Sequence, residues 1–144
     1  MGSKELPIPF KIVKVEENQF SVFEQTLAIN EPIQQQVGFG FGVHIDNKAI
    51  AVAMEFVLHK KEQPLLKLEI TCYFEIELNT FDEKLKQGDK LVLPCNFGKH
   101  LAVITTGTAR GVLFANTKNS EFNKYLIGLI NIDKMFMEDI IIEI

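Results

Sequence analysis

The longest hydrophobic pattern in the chain is an unbroken alternation of apolar and polar residues over positions 66–78. Successive side chains of a β-strand point to opposite faces, so this stretch predicts a strand with one apolar and one charged face. A helix would instead distribute the same apolar residues around its whole circumference. The apolar positions are Leu66, Leu68, Ile70, Cys72, Phe74, Ile76 and Leu78.

The same alternation recurs along the first half of the chain. It predicts strands over 11–29, 37–45 and 49–60, in addition to the strand over 65–79. The first of these strands is expected to break at the polar cluster 17–19, because such clusters favour turns. Short polar connections join the strands in sequence. The pattern therefore predicts a four-stranded antiparallel β-meander, and its single apolar face requires a covering layer.

The hydrophobic spacing changes to three and four residues after Pro94, which is typical of a helix. We predict a long helix over 96–114 and a second helix over 121–130 that is capped by Ser120. The polar stretch 80–89 then forms the crossover from the sheet to the helices. Two C-terminal helices packed on one face of the meander make an α+β fold.

The bulk properties limit the class of protein. A length of 144 residues fits one domain, 1–144, with a sizeable core. The formal net charge of -4 argues against nonspecific nucleic-acid binding, which requires a concentrated basic surface. No apolar run reaches the roughly 18 residues of a membrane-spanning helix, and the first ten residues lack the apolar core of a secretory signal. We therefore expect a cytoplasmic protein.

The sequence contains none of the residue patterns that typically carry catalysis or metal binding. Its histidines do not share a metal-ligand spacing with cysteine or acidic residues, and its alternating glycines lie inside a strand pattern. We expect no enzymatic activity, no metal and no cofactor. We expect Cys72 and Cys95 to be free thiols in a reducing compartment, with a disulfide or redox role as the alternative.

Three features exceed what a core requires: twelve phenylalanines without any tryptophan, a weakly charged first helix, and an apolar chain end. Aromatic and methionine-rich surfaces mark interaction sites, although phenylalanine could equally fill the core. The first helix is expected to contact a second copy of the chain through Leu101, Ile104, Gly107 and Thr108. On the charged strand face, Glu69, Glu75 and Glu77 are either solvated or form an acidic docking surface.

The order of these elements and three short motifs resemble the SecB-type export chaperones. The motifs are Leu93-Pro94 at the start of the long helix, Arg110-Gly111 late in it, and Ile130-Asn131-Ile132-Asp133 near the end of the second helix. The resemblance covers about 20–135. It implies a homotetramer, built as a dimer of dimers with helices between subunits, that holds unfolded polypeptides in apolar grooves without ATP. It also implies delivery of clients to a translocase component through an acidic face.

The chain departs from that family in three places. The acidic face is only partly present, because Lys67 and Tyr73 lie among its glutamates. The helix after Asn116 is short, and the chain ends on the apolar run 140–144 in place of a flexible tail with metal ligands. A role with a few dedicated clients, such as a toxin–antitoxin pair, therefore fits as well as general export.

We expect an ATP-independent holdase that buries apolar and aromatic client segments, with pairing at strand edges as a supplement. The candidate groove residues are Phe39, Phe41, Phe81, Leu126, Met135 and Phe136. The alternative is an assembly or structural subunit, for example of a secretion or phage-derived apparatus, whose apolar surfaces are covered by one dedicated partner.

Overall fold

A computed structural model describes residues 7–23 and 32–144. Its strands are β1 (Phe10–Val22), β2 (Gln34–His44), β3 (Ala49–Lys60), β4 (Gln63–Ile76), β5 (Lys86–Gln87), β6 (Lys90–Leu93) and β7 (Ile140–Glu143). The α-helices are α1 (Leu78–Thr80), α2 (Cys95–Asn116) and α3 (Ile132–Met135); a π-helical turn spans Phe81–Leu85 and a 3-10 turn spans Glu121–Lys124. The α+β class is confirmed.

The main antiparallel sheet has the strand order β1-β4-β3-β2, which differs from the sequential order of the predicted meander. Tight turns make β2, β3 and β4 neighbours, whereas the first strand pairs with the last, with Phe10 opposite Ile76 and Val22 opposite Leu66. A short turn forces adjacent pairing, but the longer connection between β1 and β2 does not. The first strand pairs with the edge of β4 that β3 leaves open.

The predicted first strand is correct over its first half. The polar cluster does not end the strand; instead, the pairing register shifts between Glu17 and Gln19, which is a β-bulge. The strand ends at Val22, and its predicted remainder, 24–29, lies outside the described residues. The predicted strand over 65–79 ends at Ile76, because the chain turns into α1 there.

The apolar face of the sheet and one side of α2 form the core. The inward residues of β3 and β4, including Phe56 and Phe74, are fully buried, as the alternation predicts. The helix begins directly after Pro94 and runs to Asn116, which confirms the long predicted helix. Its polar core residues are satisfied locally, since Thr105 and Thr106 donate to the carbonyls one turn earlier at 2.9 and 2.8 Å.

The predicted second helix over 121–130 is wrong apart from its first turn. The hydroxyl of Ser120 does cap that turn, accepting from the amide of Phe122 at 3.1 Å. Beyond Lys124 the backbone is extended, and only α3 is helical again. The physical reason is that side chains of Gln35 and Arg110 bind the backbone of residues 126–128, which a helix would have paired internally.

The apolar chain end docks on the protein, as an apolar terminus requires. It forms β7, which pairs with β6 so that Ile142 lies opposite Leu91 and Ile140 opposite Leu93. Ile142 is buried, and Ile140 packs against Gly98 of α2 so closely that a methyl group on this glycine would overlap it. The end of the chain is thereby fastened to the start of the long helix.

Candidate functional site

Three predicted groove residues meet at the edge of the main sheet. Phe39 and Phe41 point to the apolar face from β2, opposite Met54 and Val52 of β3. The ring of Phe136 contacts both, with centroid distances of 5.6 Å and interplanar angles of 68° and 88°. These edge-to-face contacts are the favoured geometry of aromatic pairs. Because β2 is an edge strand, the cluster is only half-buried.

The segment 125–139, here called the C-terminal segment, contacts the cluster through Phe136 and α2 through Arg110 and Cys95. Its first part is held by side chains. The amide of Gln35 donates to the carbonyl of Leu126 at 2.9 Å and accepts from the amide of Gly128 at 3.0 Å. Arg110 donates to the carbonyls of Ile127 and Gly128 at 3.1 and 2.8 Å. These contacts fix an extended backbone without a strand ladder.

The other end of the C-terminal segment is fastened to the start of α2. The carboxylate of Asp139 accepts from the amide of Cys95 at 2.9 Å, and the Cys95 thiol donates to the carbonyl of Phe136 at 3.3 Å. Lys99 and Asp133 form an ion pair of 3.1 Å. The hydrogen bond to Asp133 is the main cause that raises the pKa of Lys99.

An open groove of about 680 Å³ lies between α2 and residues 129–133. Val103 of the helix lines one wall and Leu129 lines the other. Val103 is 54% exposed and Leu129 is fully exposed, which is unusual for side chains of this kind in the absence of a partner. The groove therefore presents apolar area to solvent along the C-terminal segment.

The remaining groove candidates divide between surface and core. Leu126 and Met135 are exposed on the C-terminal segment. Phe81 is fully buried, and the Lys48 ammonium lies 5.0 Å from its ring centroid and pairs with Asp82 at 2.7 Å. Phe81 is thus a core residue of the π-helical turn, and its assignment to a groove is wrong because no face of it reaches solvent.

The predicted acidic face is largely compensated by neighbouring groups. Glu75 pairs with Lys11 at 3.6 Å across the strands, and Glu77 accepts from the hydroxyl of Thr80 at 3.0 Å. Glu69 lies opposite another carboxylate, Glu55, in the sheet register. Glu55 is itself paired with Lys67 at 3.7 Å, so positive and negative groups are interspersed on this face.

A polar depression of about 340 Å³ on the same charged face was not anticipated from the sequence. The ring of Tyr73 lies beside that of His44, with centroids 5.4 Å apart, and its hydroxyl donates to Glu16 at 3.3 Å. The hydrogen bond from Lys14 is the main cause that lowers the pKa of Glu16. The sequence shows the polar and charged residues at alternate strand positions, but it does not show the bulges of β1 that align them.

The predicted oligomer contact on α2 is partly misplaced. Leu101 is fully buried against the sheet, so it contacts its own core. Ile104 and Thr108 are half-buried at the flank of the helix, and only Gly107 is exposed. Sequence reasoning missed Val103 and Phe114, which are exposed on the outer side. Helical spacing from Gly107 would have found them, since positions three, four or seven apart share a face.

Among the described residues, no group of three or more histidine, cysteine or acidic side chains could hold a metal ion. In the same part of the chain, no helix is long and apolar enough to cross a membrane.

No protein-family model matches the chain, and no curated protein matches it. Solved structures do. The Mycobacterium tuberculosis Rv1957 SecB-like chaperone, in complex with a ChAD peptide from the Rv1956 HigA1 antitoxin, matches with a TM-score of 0.53 and 11% identity over 85% of this chain and 91% of that one. The fold is SecB-like.

A second solved structure aligns over a similar length with lower structural similarity. A protein of unknown function from Streptococcus agalactiae aligns over 87% of this chain and 99% of its own, at 11% identity and a TM-score of 0.44. At this level of identity the comparison with the mycobacterial chaperone establishes the fold, and the function has to be argued from the surface of this chain.

Proposed function

We propose that the protein is an ATP-independent chaperone that holds non-native polypeptide segments. The observation that carries this proposal is the exposure of apolar side chains at two places. Val103 and Leu129 line the groove beside α2, and Phe39, Phe41 and Phe136 form a half-buried aromatic cluster at the edge of β2. Grouped apolar side chains at a surface mark an interaction site. The SecB-like fold supports the proposal, since the mycobacterial neighbour is described as a chaperone with a bound peptide.

The mechanism is burial of client side chains that would otherwise aggregate. Burying one leucine or phenylalanine side chain contributes about 1.5–3 kcal/mol, so a few contacts give useful affinity without a nucleotide cycle. The groove between Val103 and Leu129 accepts aliphatic side chains, and the edge of β2 presents aromatic ones. Binding through many weak contacts suits a holdase, because it must also release its clients.

The apolar surface of one chain also supports assembly into a homo-oligomer. The outer side of α2 exposes Val103, Gly107 and Phe114. A separate apolar strip lies on β1, where Ile12 and Val15 point to the apolar face but remain exposed. A dimer of dimers requires two different self-complementary patches, and these two strips are our candidates for them.

Aggregation suppression tests the proposal with a matched pair of variants. A chemically unfolded, unrelated protein is diluted into buffer without ATP, and light scattering is followed with and without this protein. We expect suppression by the wild type and at least a threefold loss in Leu129→Asp. Leu78→Asp is the control, because Leu78 is also well exposed but lines a different depression with Pro9 and Lys11.

A second candidate function is service to one dedicated protein partner. Two observations favour it: the neighbour's bound peptide comes from an antitoxin, and the aromatic cluster of this chain is closed by its own Phe136. Failure to suppress aggregation of several unrelated clients, together with a saturable complex with one native protein, would select this alternative. Docking of a translocase component on Glu69 remains a prediction under the first function.

A further inference from the structure

The surface that Phe39 and Phe41 offer is occupied by a side chain of the same protein. The Phe136 ring approaches both of them edge-on, with each centroid 5.6 Å away. An edge-to-face pair depends on the positive edge of one ring meeting the negative face of another. The arrangement shows which chemistry this position accepts: a single aromatic side chain, presented by a short turn.

The turn that carries this ring, residues 131–137, is here called the Phe136 turn. Its backbone hydrogen bonds are local, with the amide of Phe136 donating to Ile132 at 3.0 Å and the amide of Met135 to Asn131 at 3.2 Å. Within the described residues, no backbone hydrogen bond joins the turn to a strand or to α2. Detaching it would therefore break no ladder.

Among the described residues, two polar side-chain contacts fasten the Phe136 turn to α2. They are the ion pair of the exposed Asp133 carboxylate with Lys99 and the hydrogen bond from the Cys95 thiol to the carbonyl of Phe136. The flanking Met135 and Met137 are exposed, and the single ring of Phe136 makes the contact with Phe39 and Phe41. Segments with few buried contacts open at low cost compared with the rest of a fold.

We propose that the Phe136 turn is a built-in competitor for the client surface, and that a client segment presenting an aromatic side chain binds on Phe39 and Phe41 by displacing Phe136. The proposal rests on the proposed function and narrows its clients to segments with an accessible aromatic residue. An intramolecular competitor has a high effective concentration, so it excludes weak ligands and admits only segments that bind better.

The first test uses a fluorescent peptide with the sequence of residues 131–138 of this chain. In the Phe136→Ala variant the surface is vacant, and we expect the peptide to bind at least tenfold tighter than to the wild type. A peptide with alanine in place of phenylalanine should bind neither protein. Equal binding to both proteins, or equal binding of both peptides, would overturn the proposal.

The second test loosens the turn without removing the ring. Asp133→Asn removes the ion pair with Lys99, and Asp46→Asn in the turn after β2 is the matched control. The readout is the alkylation rate of Cys95, whose thiol is hydrogen-bonded to the turn. We expect a severalfold faster rate in Asp133→Asn, and in wild type saturated with the aromatic peptide, but not in the control. An unchanged rate in the peptide-saturated protein contradicts displacement.

The two proposals can fail separately. Peptide exchange at the Phe136 position without any suppression of aggregation would support the competitor role of the Phe136 turn and contradict the holdase function. The opposite result is equal suppression of aggregation by wild type and Phe136→Ala, with no peptide exchange. That result would support the holdase function and contradict the competitor role of the Phe136 turn. Should Phe136→Ala not fold, the Asp133→Asn arm still decides, because that carboxylate is largely solvated.

Discussion

The thiol of Cys72 is a probe of how tightly the core is packed. It lies on the apolar face of β4, fully buried, and burial raises the pKa of its thiol although the hydroxyls of Thr105 and Thr108 act in the opposite direction. Only a thiolate reacts quickly with alkylating reagents. Cys95 is half-buried at the start of α2, so the two thiols differ in access to solvent.

We expect Cys95 to be alkylated at least tenfold faster than Cys72 in the native protein at mildly alkaline pH. A thiol whose pKa is raised on folding contributes stability below its ordinary pKa, and this contribution is lost as the pH rises toward the folded-state value. The alkaline loss of stability should therefore be smaller in Cys72→Val than in wild type, as measured by urea unfolding at several pH values. Equal alkylation rates would show that the core is open.

At the scale of elements, the docking of β7 on α2 places the end of the Ile140 side chain against Gly98. A methyl group there would overlap Ile140; overpacking costs about 1–3 kcal/mol and the gain in helix propensity offsets up to about 1 kcal/mol, so we expect Gly98→Ala to lower the unfolding free energy by about 1 kcal/mol. Gly111→Ala is the control, since its added methyl meets open space and should stabilise the helix by about 0.5–1 kcal/mol. Ile140→Val should partly restore stability in the Gly98→Ala background. Denaturant unfolding measures all four proteins.

The elements also show where sequence patterns suffice. Alternation located β3 and β4 because each buries one face, and Pro94 located the start of α2. The same alternation cannot predict the strand order, because a strand has the same pattern whichever strand pairs with it. The second helix failed because Gln35 lies about 90 residues before the segment it holds, and no local spacing reveals such a partner. The groove residues could be predicted only in part for the same reason. Apolarity identified Phe39 and Phe136 as candidates, but it identified the buried Phe81 equally.

At the scale of the molecule, the position of α2 leaves part of the apolar sheet face uncovered. The helix packs on β3 and β4, whereas Ile12 and Val15 of β1 remain almost half exposed although they point to the apolar side. An edge strand with exposed apolar residues is prone to pair with another chain. The outer side of α2, with Val103 and Phe114, is a second strip of the same character.

If these strips are separate interfaces of a dimer of dimers, a charge in either one should halve the mass of the assembly. We expect Phe114→Asp and Val15→Lys each to give a dimer by sedimentation equilibrium, and the double variant to give a folded monomer. Ile141→Asp is the control, because Ile141 is equally exposed but lies on β7, away from both strips. A tetramer that survives both changes would place the subunit contacts elsewhere. A protein that is monomeric from the outset would leave both strips available to clients.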